Sequence, residues 1–197
     1  MVSRLGSIAS PPQSAVPLGR GGLGRSVAEG ASSLVDLVQT NMRILKPTRK
    51  KPRPGGVFVL QMPDEMYSFG RVINTSAMVS GRIQSQLIYV FKVRSTTKEL
   101  PEQSELRSDR LLVPPMMTNL LPWSRGYMET IAELPFEPGD VLSQHCFYDS
   151  SFRKYVDELG NDLPGPVEPV GEMGLQSFRT IDDIVSAGLG IPLVPTD

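Results

Sequence analysis

Residues 54–75 read PGGVFVLQMPDEMYSFGRVINT, and this stretch has the composition of a β-hairpin. Its β-branched and aromatic residues lie on both sides of Asp64 and Glu65, which supply a polar turn. Gly70 interrupts the second half, and a glycine inside a strand often marks a bulge or a strong bend. Small barrels need such bends, so the hairpin favours a compact and curved β structure.

Further strand-like stretches follow the hairpin along the chain. Residues 85–95, SQLIYVFKVRS, form the strongest predicted strand because β-branched and aromatic residues are concentrated there. Residues 110–117 and 126–133 are also predicted strands, and prolines mark the end of each one. A strand that contains His145, followed by an acidic turn, is expected next.

The C-terminal residues 177–193, SFRTIDDIVSAGLGIPL, predict a helix. Thr180 is the expected N-cap, and Asp183 three residues later would complete a capping box. Gly188 and Gly190 are expected to end the helix. The predicted fold class is therefore mainly β: a small, strongly bent antiparallel sheet or SH3-like barrel of five or six strands, with a C-terminal helix.

Charge divides the chain into a basic arm and an acidic body. Residues 1–53 hold nine Lys/Arg and two Asp/Glu, a net charge of +7, whereas residues 54–197 hold eleven and nineteen, a net charge of −8. Residues 1–32 are rich in Gly, Ser, Ala and Pro and are predicted to be disordered. Residues 33–46 predict a short amphipathic helix. The predicted organisation is an arm over 1–53 and one β domain over 54–197.

Composition also restricts the partners and the compartment. An acidic body repels phosphates, so it disfavours nucleic acid as the main ligand and favours a basic protein. No stretch approaches the roughly 18 apolar residues of a membrane-spanning helix, and the first residues contain no apolar signal-peptide core. A cytoplasmic protein is expected.

Side chains that carry chemistry are scarce. His145 and Cys146 are the only histidine and the only cysteine, and neighbours in a strand point to opposite faces. A zinc site needs about four ligands, mostly Cys and His, and a cysteine nucleophile needs a well-placed base. GRGGLG at residues 19–24 matches a dinucleotide fingerprint in form, but no apolar strand precedes it. No catalytic residue, metal or cofactor is therefore predicted.

Several residues remain as candidate contacts for a protein partner. Asp157, Glu158 and Asp162 crowd a predicted turn, where they either face a basic partner or anchor the turn. Trp, Arg and Tyr dominate interface hot spots, which favours Trp123 in PWSRGY, although core packing fits it slightly better. Arg71 lies between apolar strand residues, where an arginine is more often paired with a carboxylate or exposed on one face. The candidate partner-binding residues are Arg71, Trp123, Tyr155, Asp157, Glu158, Asp162 and Arg179.

Four segments in order resemble the immunity protein 26 family of bacterial polymorphic toxin systems. They are residues 54–73, LIYVFKV at 87–93, FYDSSFRKYVDELGN at 147–161, and GLQSFRTIDDIVSAGLGIPL at 174–193. The residues that carry the resemblance are Pro54, Gly55, Phe58, Phe69, Gly70, Arg71, Val72, Tyr155, Asp157, Glu158, Gly160, Gly174, Leu175, Ser177, Arg179 and Ile181. Gly56 departs from the pattern, since the family usually has Asp there.

The resemblance covers about residues 54–192 and implies a binding function. Members of the family are taken to neutralise the product of a neighbouring toxin gene by binding it, which requires surface complementarity and no turnover. The acidic body agrees with this, because nuclease toxins are usually basic. The alternative is a small-barrel domain with an enzymatic or nucleic-acid-binding role, in which the basic arm supplies phosphate contacts.

Overall fold

The structure is a computed structural model that describes residues 39–195. The described chain is mainly β, as predicted, and it ends in a helix. Its strands are β1 Gly56–Gln61, β2 Tyr67–Val79, β3 Ile83–Ser95, β4 Met116–Thr118, β5 Glu129–Glu133, β6 Cys146–Asp149, β7 Lys154–Val156, β8 Asp162–Leu163, β9 Val170–Glu172 and β10 Leu175–Gln176. Its helices are α1 Leu121–Ser124 and α2 Phe178–Gly188, and two short 3-10 turns span Gln103–Leu106 and Ser108–Arg110. Neither α-helix of this part of the chain is long and apolar enough to cross a membrane.

The predicted hairpin is confirmed as β1 and β2, which pair in antiparallel register from Val57–Arg71 to Gln61–Tyr67. The bulge predicted at Gly70 is also present, because the register of β2 against β3 shifts between Ser68 and Gly70. A Cβ atom at Gly70 would lie 2.3 Å from Cζ of Phe58. The glycine therefore makes room for the Phe58 ring on the neighbouring strand.

The strands form two open sheets. The first sheet has the order β10-β4-β3-β2-β1-β5, and the second has the order β8-β7-β6-β9. Both are mixed, since β10 runs parallel to β4 and β9 runs parallel to β6. The prediction of one antiparallel sheet or an SH3-like barrel is therefore corrected to two mixed sheets that do not close.

Burial on both faces explains why the first sheet stays open. Val57, Phe58, Val59 and Leu60 of β1 are all 0% exposed, although their side chains alternate between the two faces. Phe58 and Leu60 belong to one core, and Val57 and Val59 belong to a second core on the opposite face. A sheet that is covered on both faces is a central layer, whereas a barrel encloses a single interior.

Each core is completed by a different part of the chain. Helix α2 contributes Ile181 and Val185 to the core that contains Phe58, together with Trp123. The second sheet contributes Phe147 and Val156 to the core that contains Val57. Helix α2 and the second sheet thus cover opposite faces of the first sheet.

The N-terminal part of the described chain packs on the β domain. Met42 is 2% exposed, and the N–H of Arg43 donates to the carbonyl of Gln61 at 2.9 Å. Residues 39–46 contain no helix, while the first part of the helix predicted at 33–46 lies outside the described residues, as does the disorder predicted for 1–32. Met42 and Arg43 are thus attached to the β domain, and the predicted domain boundary at residue 53 stays a prediction.

Helix α2 begins earlier than predicted. The side chain of Ser177 accepts a hydrogen bond from the N–H of Thr180 at 3.1 Å, so Ser177 is the N-cap instead of Thr180. The additional first turn places Phe178 in a stacked contact with Tyr127, with ring centroids 4.7 Å apart. The helix ends at Gly188, in agreement with the prediction.

Candidate partner-binding surface

Arg71 lies inside the domain. Its side chain is 0% exposed, its Nη1 lies 2.8 Å from Oδ2 of Asp140, and its Nη2 donates to the carbonyls of Leu134 and Pro135. Burial raises the pKa of Asp140, but the hydrogen bond from the N–H of Glu137 and the guanidinium of Arg71 hold it below its ordinary value. Arg71 therefore holds the loop after β5 in place through its ion pair with Asp140, and its buried side chain is not accessible to a partner.

Trp123 also lies in the interior, and its predicted role in partner binding stays a prediction. It is 1% exposed, and its ring meets Phe58 edge-on at a centroid distance of 5.6 Å. Its Nε1–H donates to Oγ1 of Thr130 at 3.2 Å, so the indole is satisfied without a partner. Exposing the large apolar ring of Trp123 to water would be unfavourable, which explains why α1 places the side chain in the core.

Arg179 joins two ends of the described chain. Its Nη1 donates to the carbonyl of Gln39, and its Nη2 donates to the carbonyl of Val194 at 2.5 Å. The same nitrogen lies 3.3 Å from Oδ1 of Asp183. Most of its hydrogen-bonding capacity is therefore used within the domain, on the side of the first sheet that α2 covers.

Asp157 stabilises its own turn. Its Oδ1 accepts hydrogen bonds from the N–H groups of Leu159 at 2.9 Å and Asn161 at 2.8 Å, and its Oδ2 accepts one from the amide side chain of Asn161. Burial raises the pKa of Asp157, but these donors outweigh it and lower the pKa below the ordinary value. The turn is thus anchored to its own backbone and to the side chain of Asn161.

Glu158 is the partly exposed end of a chain of polar side chains whose other members are buried. Its Oε2 lies 3.2 Å from Nδ1 of His145, and Nε2 of His145 lies 2.7 Å from the hydroxyl of Tyr89. The hydrogen bond with His145 lowers the pKa of Glu158, and burial raises the pKa of Tyr89. The N–H of Leu142 also donates to the Tyr89 hydroxyl at 3.1 Å.

This Tyr89–His145–Glu158 chain orients the imidazole but does not present it to a substrate. Tyr89 is 0% exposed and His145 is 6% exposed. Cys146 is buried and accepts a contact from the N–H of Val167 at 3.4 Å, so its sulfur is not paired with His145. The chain connects the first sheet to the turn after β7, which is a structural role.

The outer face of the second sheet carries a row of side chains, of which only Tyr155 was predicted from the sequence as a candidate contact. Tyr155 pairs with both Tyr148 and Leu163, and Tyr148 pairs with Glu172. We call Leu163, Tyr155, Tyr148 and Glu172 the tyrosine row. The next pair along the strands, Phe147 and Val156, is buried in the core, so the tyrosine row points outward.

The two tyrosines form the centre of this row. Their ring centroids lie 5.3 Å apart with the planes tilted by 52°, and Tyr148 is 36% exposed. Within residues 39–195 neither phenol hydroxyl has a hydrogen-bond partner in the domain. The row therefore combines aromatic area with polar groups that face solvent.

Carboxylates outnumber cations in the part of the chain that carries the tyrosine row. Residues 155–178 contain five Asp/Glu and no Lys/Arg. Asp162 is exposed and pairs with Nζ of Lys154 at 2.5 Å. Glu168 and Glu172 are exposed, and neither forms an ion pair with a cation of the described chain. This side of the domain has unneutralised negative charge.

The structure brings four of the seven candidate residues together. Tyr155, Asp157, Glu158 and Asp162 lie on β7, β8 and the turn between them, whereas the other three are placed elsewhere. Tyr148 is the residue that sequence reasoning missed. Its exposed position in a strand whose neighbours are buried is visible only once β6 and β7 are paired.

The residues that the structure describes provide no cluster of metal ligands. In residues 39–195 no three His, Cys, Asp or Glu side chains converge in a group that could hold an ion. The polar groups on this side instead offer hydrogen bonds and charge to a macromolecular surface.

Comparison with known proteins gives one match. The model of the family described as immunity protein 26 matches residues 53–155, just over half of the chain. The match begins before β1 and extends into β7, so it includes the whole of β1 to β6. No curated protein and no solved structure matches the chain significantly.

Proposed function

We propose, from the premise that this chain belongs to the immunity protein 26 family, that it blocks one cognate toxin by stoichiometric binding. Membership implies an immunity protein that neutralises a toxin, and such proteins are typically non-catalytic. The family match over residues 53–155 is the observation that carries the proposal. The Tyr89–His145–Glu158 chain supports it, because its tyrosine and imidazole are buried within the domain and are not offered to a substrate.

The proposed partner is a basic protein surface, and the proposed compartment is the cytoplasm. Residues 54–197 have a net charge of −8, which would accelerate encounter with a positively charged toxin. An immunity protein must meet a toxin where the toxin acts or is made, and the cytoplasm satisfies both conditions for a toxin that attacks intracellular targets.

The small-barrel alternative has less support. Neither sheet closes, so the barrel on which that alternative depends is absent from residues 39–195. Lys46, Lys50, Lys51 and Arg53 line a cleft together with Glu129 and Glu133, and Lys50 lies 3.4 Å from Glu133. These carboxylates neutralise part of the positive charge of the basic segment at this cleft, which weakens its attraction for a phosphate backbone.

A titration tests the proposal and separates binding from catalysis. The full chain is added to the purified toxin encoded by the neighbouring gene, and the remaining toxin activity is measured. Stoichiometric binding predicts a linear loss of activity that reaches completion at about one equivalent, with a complex of one chain per toxin by light scattering. Complete inactivation by a small fraction of an equivalent would indicate catalysis, and absence of a complex would contradict neutralisation by binding.

A further inference from the structure

We infer that the tyrosine row is the surface on which the toxin docks, and that it receives Lys or Arg side chains of a basic protein surface. This inference rests on the proposed function and adds the location and chemistry of the contact. Three independent features of the described chain support it: the outward geometry of the row, its unused aromatic groups and its unneutralised charge.

The strand pairing places the row on one face of the second sheet. Four strands each contribute one side chain at the same level, in the order Leu163, Tyr155, Tyr148 and Glu172. Beneath them, Phe147 is 0% exposed and anchors the sheet in the core. A preformed surface loses little conformational freedom when a partner binds, which favours affinity.

The aromatic groups of the row have no other evident use in the fold. Tyr148 and Tyr155 contact each other, but within residues 39–195 their hydroxyls bind no other group of the domain. Tyrosine is enriched at interface hot spots because it supplies a large, stiff contact area and a polar tip. Burying such a pair against a partner gains apolar contact without leaving an unsatisfied charge.

The negative charge on the outer face of the second sheet favours a basic partner. Glu172 is a member of the row and is exposed without an ion pair to any cation that the structure describes. The faces of tyrosine rings attract guanidinium and ammonium groups, and nearby carboxylates strengthen this preference. Arg or Lys side chains laid across the rings would satisfy both kinds of group, whereas an acidic or phosphate-rich partner would be repelled.

Two substitutions test the site separately. Tyr148→Ala removes aromatic area, and Glu172→Lys reverses one charge, and both positions are exposed. Each variant is expected to weaken binding to an inactivated form of the toxin encoded by the neighbouring gene by about tenfold or more, as truncation of an interface hot spot does. Their melting temperatures should stay close to that of the unchanged chain, because neither side chain is in a core.

The matched control is Glu99→Lys. Glu99 is exposed and lies just beyond the C-terminal end of β3. The turn after β7 lies at the opposite end of the β2–β3 pair, where the N–H of Met78 donates to the carbonyl of Glu158. The control makes the same change in net charge away from the proposed surface. Its affinity should stay within about twofold of the unchanged chain, as expected for a charge outside the contact.

The outcomes separate this inference from the proposed function. If the unchanged chain binds the toxin but Tyr148→Ala and Glu172→Lys bind equally well, the docking surface is elsewhere and the proposed function stands. If Glu99→Lys weakens binding as much as Glu172→Lys, net charge accounts for the effect and the inference is overturned. If the unchanged chain does not bind the toxin, the proposed function itself fails.

Discussion

The ion pairs Arg71–Asp140 and Lys50–Glu133 have similar chemistry but different surroundings. The side chains of the first pair are 0% and 2% exposed, whereas those of the second are 69% and 43% exposed. We predict that Arg71→Met lowers the free energy of unfolding by about 3–5 kcal/mol, because it leaves the Asp140 charge unpaired in the interior. Lys50→Met should change it by less than about 1 kcal/mol. Urea denaturation measures both, and similar losses for the two variants would contradict the assigned role of Arg71.

Glu158 gives a prediction about acid stability. Its hydrogen bond with His145 lowers its pKa below the ordinary value of 4.5, so the folded state binds a proton more weakly than the unfolded state. The resulting stabilisation is present above pH 4.5 and is lost as the pH falls through the lowered pKa. Glu158→Gln should therefore reduce the unfolding free energy at pH 7 and flatten its dependence on pH below 4.5. Parallel pH profiles for the two proteins would refute this contribution.

From residue types alone, the chemistry available to a side chain could be predicted better than the residues that it contacts in the fold. The lack of a cysteine–histidine pair followed from the positions of His145 and Cys146. The contact of His145 with Tyr89 could not be predicted in the same way, because 56 positions separate the two residues and only the packing of the two sheets joins them. Arg71 was recognised as a paired arginine or a contact, and its distant partner Asp140 decides between these alternatives.

At the scale of elements, alanine substitutions at two glycines test the role of Gly70 in the bulge of β2. Gly70→Ala would place a Cβ atom 2.3 Å from Cζ of Phe58 and 2.6 Å from the carbonyl oxygen of Tyr89. We predict a loss of about 1–3 kcal/mol in unfolding free energy, as expected for overpacking in a core. Gly165→Ala is the control, since no atom lies within 4 Å of its added Cβ. Thermal and urea unfolding should leave this control nearly unchanged, and an equally mild effect at Gly70 would show that the sheet adapts easily.

Strands were easier to predict than their arrangement. The apolar runs in β1 and β3 identified these strands. The uninterrupted apolar run at residues 57–60 also contained a signal for a sheet covered on both faces, because such strands lack polar–apolar alternation. The second sheet was harder to recognise because β8 has two residues and β9 has three. Such short strands exist through pairing and burial of Phe147 and Val156, which local composition does not encode. The tyrosine row could therefore be predicted only in part, through Tyr155.

At the scale of the whole molecule, the N-terminal limit of the folded unit lies before the family match. Asp182 on α2 accepts hydrogen bonds from the N–H groups of Asn41 at 2.9 Å and Met42 at 2.6 Å. The N–H of Leu45 donates to the carbonyl of Gly126, and that of Thr48 donates to the carbonyl of Trp123. Residues 39–50 are thus attached to α2 and to the region around α1, and they complete the core that contains Phe58.

Two shortened chains test this limit. A chain that begins at Lys51 loses Met42, and burial of such a side chain contributes about 1.5–3 kcal/mol. It also leaves the buried Asp182 without two donors, and burial already raises the pKa of this carboxyl. In a domain of this size about 1 kcal/mol shifts the melting temperature by roughly 2–4 °C, so we predict a decrease of roughly 5–10 °C. A chain that begins at Gln39 retains every one of these contacts and should melt with the full chain. Equal melting temperatures for the two shortened chains would show that residues 39–50 lie on the domain without stabilising it.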